Sequence, residues 1–291
     1  MRKKNATSVK QSSQELGEEY NSQSVSAKAF SELEVNLAPR KTLRFLVVLV
    51  LGLCLISTLG QYSLYFLPDY PLKGTFIRLF YIDAENNIPS LYSACALIFC
   101  AILLATITYI KKLAHHRYVR HWASLSIIFL YLAFDEAFVL HEELMEPLRN
   151  KLNVGGLLYF AWVIPGAIFV GACLLAYLKF LFDLPAKTRG MFLIAGTLYV
   201  GGAMGMELLG GYHTELYGLE NMTYVLITTF EELLEMLGIA VFIYALLSYI
   251  SSYMKGVLWK LQIVEDSEAR KQKLNGYPKS ATVGVTPPRE A

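Results

Sequence analysis

The sequence predicts an all-α, polytopic membrane protein with six transmembrane helices and both termini on the cytoplasmic side. Three observations lead there. The 291 residues are 55% hydrophobic and 17% charged, with a mean hydropathy of +0.41, whereas soluble domains average roughly 25% charged residues. The apolar residues fall in runs long enough to cross a hydrocarbon core of about 30 Å, which takes about 20 helical residues. The basic residues are confined to the tails and alternate loops.

Residues 1–42 are rich in Ser, Gln, Glu and Lys and contain no apolar stretch. They read as a disordered cytoplasmic segment rather than a cleavable signal, which leaves the first span as an uncleaved signal-anchor. The six spans then fall at 43–67, 88–110, 122–143, 157–182, 191–209 and 222–250, making 43–255 the transmembrane domain. Aromatic residues gather at several span ends (Tyr62, Tyr65 and Phe66; Tyr159, Phe160 and Trp162; Tyr253 and Trp259), where amphipathic rings sit at headgroup level. Residues 256–291 form a polar, mostly disordered cytoplasmic tail. Segment 254–264 alternates apolar and basic residues, and an interfacial helical stub and a fraying helix end both fit it.

Orientation follows from Lys and Arg. Eight lie at or before Arg44, four in the second connection (Lys111, Lys112, Arg117, Arg120), three in the fourth (Lys179, Lys187, Arg189) and seven in the tail. The remaining connections hold only Lys73, Arg78, Arg149 and Lys151. The positive-inside rule places the rich side in the cytoplasm, consistent with a bacterial inner membrane. A net charge of +2 without a concentrated basic face excludes nucleic acid as a partner. The expected partners are the lipid bilayer and an ion or small-molecule substrate.

Eight carboxylates interrupt the apolar spans: Asp135, Glu136, Glu142 and Glu143 in the third, Glu207 in the fifth, Glu231, Glu232 and Glu235 in the sixth. An ionised carboxylate near the bilayer centre costs on the order of 2.5–3.5 kcal/mol, so such residues normally have a function or a partner. No Lys or Arg lies within these three spans to pair with them. On an ideal helix, at about 100° per residue, Asp135 with Glu142 and Glu136 with Glu143 form one acidic stripe. Thr228, Glu231, Glu232 and Glu235 share another face. Asp135 and Glu231 both fall roughly 13 Å below the outer boundary, with Glu207 nearer the surface.

Crowded carboxylates in low dielectric must either hold protons or bind a cation. The leading expectation is therefore a proton- or cation-coupled transporter using Asp135, Glu136, Glu207, Glu231, Glu232 and Glu235, with Glu142, Glu143 and Thr228 secondary. The alternatives are a carboxylate-rich Fe, Mn or Ca site drawing on Asp135, Glu136, Glu231, Glu235 and His141, and a structural or assembly subunit. An internal hydrogen-bond network and a solvated helix end (for Glu142 and Glu143) compete with each assignment. His141 points about 160° from the acidic stripe on an ideal helix, which favours a packing role.

Several smaller features carry expectations. Gly201-x-x-x-Gly205, with Gly196, fits a small-residue packing face, and Pro165-Gly166 predicts a kink in the fourth span. Asp83 and Glu85, in an outer loop, form either a lip over the acids or an ordinary helix N-cap region. His213 lies in an outer loop. Phosphate loops, the Gly-x-Ser-x-Gly elbow, an intramembrane Lys and disulfide or CxxC patterns are missing. Phe134-Asp135-Glu136-Ala137-Phe138 and Phe230-Glu231-Glu232-Leu233-Leu234 occupy equivalent third helices of two oppositely oriented halves, suggesting a 3+3 inverted repeat.

The runs LFYIDAENNIPS, FDEAFVLHEEL, LLYFAWVIPG and TTFEELLEMLG together resemble uncharacterised six-helix bacterial inner-membrane proteins over roughly 79–250. That resemblance implies the topology and carries no activity and no site.

Overall fold

The computed structural model describes residues 38–254; the expected disordered tails, the interfacial stub beyond Met254 and Trp259 lie outside the described residues. Among the described residues the chain is entirely helical, without strands. The described residues form nine α-helices in order: α1 Pro39–Phe66, α2 Lys73–Phe80, α3 Ile88–Leu113, α4 Val119–Phe138, α5 Met145–Leu152, α6 Val163–Asp183, α7 Ala186–Val200, α8 Glu207–Tyr217 and α9 Met222–Tyr253. Among the described residues five spans are long and apolar enough to cross a membrane, with α7 to α8 counted as one; α4 and the Glu142–Leu152 segment make a sixth if that bent pair is one span.

The 32 residues of α9 form the hub. It packs on α7, α1 and α3, while α3 pairs along its length with α4. Its buried side chains include Val225, Met236, Ile239, Ile243 and Leu246, which spread around much of the helix. Two glycines allow the closest approach. A Cβ on Gly238 would stand 2.8 Å from the Tyr199 nitrogen and 2.9 Å from the Ala195 oxygen, so α7 and α9 meet there backbone to backbone. At the basic end, Trp122 joins four helices, its ring 5.0 Å from Phe180, 6.0 Å from Phe192 and 5.2 Å from Tyr249. Arg117 pairs with Asp183 beside it.

Four expectations are corrected. The third span does not run unbroken to residue 143. It stops at Phe138, Val139 turns left-handed at φ 57°, and the chain resumes at a 74° bend. The fourth span starts at Val163, so Pro165 occupies the first helical turn, where its missing N–H costs nothing, and no mid-helix kink arises there. The fifth span extends to Tyr217 and contains a π-helical segment, Gly201–Met206. His213 therefore sits on helix α8 rather than in a loop, with Nε2 2.8 Å from the Asn221 side-chain oxygen. Finally, Gly196, Gly201 and Gly205 have nothing within 4 Å of an added Cβ, whereas Gly202 does; the close-packed face is turned by one residue from the expected one.

Candidate functional site

The site forms where the regular helices fail. The first failure follows Asp135, in the last turn of α4. Val139 donates its N–H to the Asp135 carbonyl at 2.7 Å, and the Asp135 carboxylate receives the His141 backbone N–H at 3.0 Å and meets His141 Nδ1 at 2.9 Å. A β-branched residue in the left-handed region costs about 1–2 kcal/mol; these three contacts, all made by one aspartate, hold it there. His141 is thus folded back onto Asp135, not turned away from it as a continuous helix requires. The same break removes the acidic stripe: Glu142 and Glu143 leave α4, lie in a 3-10 turn and are exposed.

The second failure precedes Glu207. The π-helical segment ends at Met206 and Glu207 opens α8. Its buried carboxylate accepts a 2.8 Å hydrogen bond from Trp162 Nε1, and the Trp162 ring lies 4.8 Å from the His141 ring. Asp135, His141, Trp162 and Glu207 therefore form a continuous chain of contacts from α4 to α8. Glu207 also comes within side-chain hydrogen-bonding reach of Glu231 on α9.

On the π-helical segment, Gly202 faces α9 at its acids. A Cβ there would stand 2.7 Å from the Glu231 carbonyl oxygen and 2.8 Å from Glu235 Cγ. Farther along, Glu232 and Glu235 are in electrostatic reach of Glu136, and Ser93 of α3 comes within side-chain reach of Glu136. Thr228, fully buried, hydrogen-bonds the carbonyl of Val225 at 3.3 Å.

The loop before α3 covers this region. The Ile82 N–H reaches Ser57 Oγ on α1 at 2.9 Å, and Asn87 caps α3 while donating to the Tyr81 and Ala84 carbonyls. Tyr81 donates its hydroxyl to Asp83 at 2.8 Å. Burial pushes the Asp83 carboxyl up to about 6 despite that bond. Glu85 rises to about 7, first through burial and then through the negative charge of Glu142. One Glu85 oxygen is buried without a hydrogen-bond partner. Asn87 is an ordinary N-cap, and Asp83 and Glu85 lie in electrostatic reach of Glu142.

Sequence reasoning missed Trp162, Tyr199 and Gly202. Trp162 reads as an interfacial aromatic until Glu207 is placed beside it. Tyr199 lies in electrostatic reach of Glu235, Glu136, Asp135 and Glu232. Gly202 sits three residues after Tyr199, and that spacing on one helical face was the available signal. Among the described residues, no three His, Cys, Asp or Glu side chains come together as a ligand set for a metal ion. Asp135, Glu136, Glu231, Glu235 and His141, the set the metal alternative draws on, therefore receive no geometric support.

The family described as Domain of unknown function (DUF8692) matches residues 43–250. Compared with curated proteins and with solved structures, the chain has no significant match.

Proposed function

This chain belongs to the DUF8692 family, whose description assigns no activity, and we propose from the site alone that it is an integral membrane transporter coupled to protons or another cation. One observation carries the reading: the two helix interruptions fall directly at intramembrane acids, Val139 four residues after Asp135 and the π-helical segment immediately before Glu207. Broken helices at membrane depth are tolerated where they line a cavity or bind a substrate ion, and π-helical segments recur at functional sites.

Under this reading Glu231, Glu232 and Glu235 on α9, with Asp135 and Glu136 on α4, exchange the coupling ion, and Glu207 stands at the mouth. Glu142, Glu143 and Thr228 are accessory. The basic ends of the helices face the cytoplasm by the positive-inside rule, which puts the acids in the outer half of the bilayer. The two pentads support an inverted repeat, although α4 ends at its pentad while α9 continues through its own.

The test is solid-supported-membrane electrophysiology on proteoliposomes of the full chain, with jumps of pH, Na⁺, K⁺ and divalent cations. One of these jumps is expected to give a transient current that Asp135→Asn and Glu231→Gln abolish while both variants still elute as folded protein. Currents unchanged in both variants, or no current for any jump, would sink the proposal. Metal content measured beside a Glu231→Gln/Glu235→Gln variant decides the remaining alternative: a stoichiometric metal lost in the variant would move the function to a metal site.

A further inference from the structure

At the opposite end of the bundle, α1 and α7 flank α9 and leave a groove between them. Its walls are Arg40, Leu43 and Arg44 from α1 and Met191 from α7, its floor Val241 and Tyr244 of α9, and it is an open hollow of about 250 Å³. A second hollow shares Met191 and Tyr244 with it and adds Lys187, Ser248 and Ser252. The two adjoin at those side chains on the surface of α9.

Both hollows carry basic residues. Arg40 and Arg44 stand one turn apart at the start of α1, and Lys187 stands at the start of α7. Among the described residues these three enter no ion pair, whereas Arg117 at the same end is paired with Asp183. From Ser252 to Val241 the two hollows cover twelve residues of α9, roughly 16 Å along its axis, and the one at Val241 holds Arg40 and Arg44 beside Leu43 and Met191. The two guanidinium groups of Arg40 and Arg44 suit a phosphodiester. The apolar Leu43, Met191 and Val241 beside them suit an acyl chain, which a free phosphate lacks.

We propose that this groove is a binding site for an anionic phospholipid, its phosphate held by Arg40 and Arg44 and one acyl chain laid along Leu43, Met191 and Val241. The site is separate from the acids of the transport reading and stands whether or not that reading survives.

The test is native mass spectrometry of the full chain in detergent, titrated with palmitoyl-oleoyl phosphatidylglycerol or with the phosphatidylcholine of the same chains. Wild type is expected to retain phosphatidylglycerol in preference to phosphatidylcholine, and millimolar inorganic phosphate should not displace it. Each basic residue near an anionic headgroup contributes about fivefold in affinity, so Arg40→Gln/Arg44→Gln should weaken phosphatidylglycerol binding about 25-fold. Lys112→Gln/Arg120→Gln, which removes the same charge elsewhere at that end, should leave it unchanged. Met191→Trp, which fills the groove and keeps every charge, should also expel the lipid. Equal retention of the two lipids, equal losses in the two charge variants, displacement by phosphate, or full binding in Met191→Trp would each overturn the proposal.

Discussion

Replacing Gly202 with alanine tests the packing that brings the π-helical segment onto α9. The added methyl would lie 2.7 Å from the Glu231 carbonyl oxygen, 2.8 Å from Glu235 Cγ and 3.1 Å from the Glu235 nitrogen. Two of those atoms are backbone and cannot rotate aside, so the two helices must separate. Overpacking of this kind costs about 1–3 kcal/mol. The better helix propensity of alanine returns at most about 1 kcal/mol. A net loss of about 1–2 kcal/mol lowers Tm by about 2–8 °C in a domain of this size. Gly201→Ala and Gly205→Ala meet nothing within 4 Å, so propensity alone acts and Tm holds or rises by up to about 4 °C. Thermal unfolding of the three variants in one detergent, followed by tryptophan fluorescence, reads the contrast. A Gly202→Ala protein as stable as wild type, or a Gly205→Ala protein that melts lower than Gly202→Ala, would refute the assigned register of the two helices.

Other outcomes follow from the same geometry. Trp162→Phe keeps a ring against His141 but deprives the buried Glu207 of its donor, and should lower stability by about 1–3 kcal/mol in the same melting assay. Asp135→Ala removes the acceptor of the His141 N–H, so hydrogen exchange at that amide should accelerate about tenfold to a hundredfold, an amount set by a bond to a charged group; unchanged exchange would mean the turn holds without it. Asp83 keeps its proton to about pH 6 in the folded chain, against an ordinary value of 3.8. The folded state therefore binds more protons between about pH 4 and 6, and stability should fall as pH rises through that window. Asp83→Asn should flatten the slope, and an identical pH profile in the variant would refute the burial of this carboxyl.

The run of apolar segments was readable from one dimension because burial in lipid depends on composition over some twenty residues. Their ends and interruptions depend on contacts that composition does not encode. FDEAFVLHEEL contains neither Gly nor Pro, and nothing local announces a left-handed Val139. The turn is held by a side chain reaching six residues ahead, from Asp135 to the His141 amide, and a helical wheel drawn through 122–143 therefore assigned His141 to the wrong side. Pro165 failed as a kink signal for the opposite reason: its meaning depends on where the helix begins, and the segment before Val163 forms a 3-10 turn instead. The acids themselves were legible because apolar surroundings make any carboxylate conspicuous. Their neighbours Trp162 and Tyr199 were not, since aromatic residues are ordinary in such spans.

The π-helical segment also acts as a clocking device. Each of its closing bonds spans one residue more than an α-helical bond, so the backbone from Glu207 to Tyr217 is advanced by one position relative to Ala186–Val200. One residue corresponds to about 100° of rotation around the axis. Closing those same residues as a regular α-helix, with none removed, would swing Glu207 about 100° away from Trp162 while every residue of α8 kept its identity. The azimuth of the Glu207 carboxylate is thus stored in the π-helical closure between α7 and α8, and regular closure of the same residues would disconnect the site more completely than most substitutions within it.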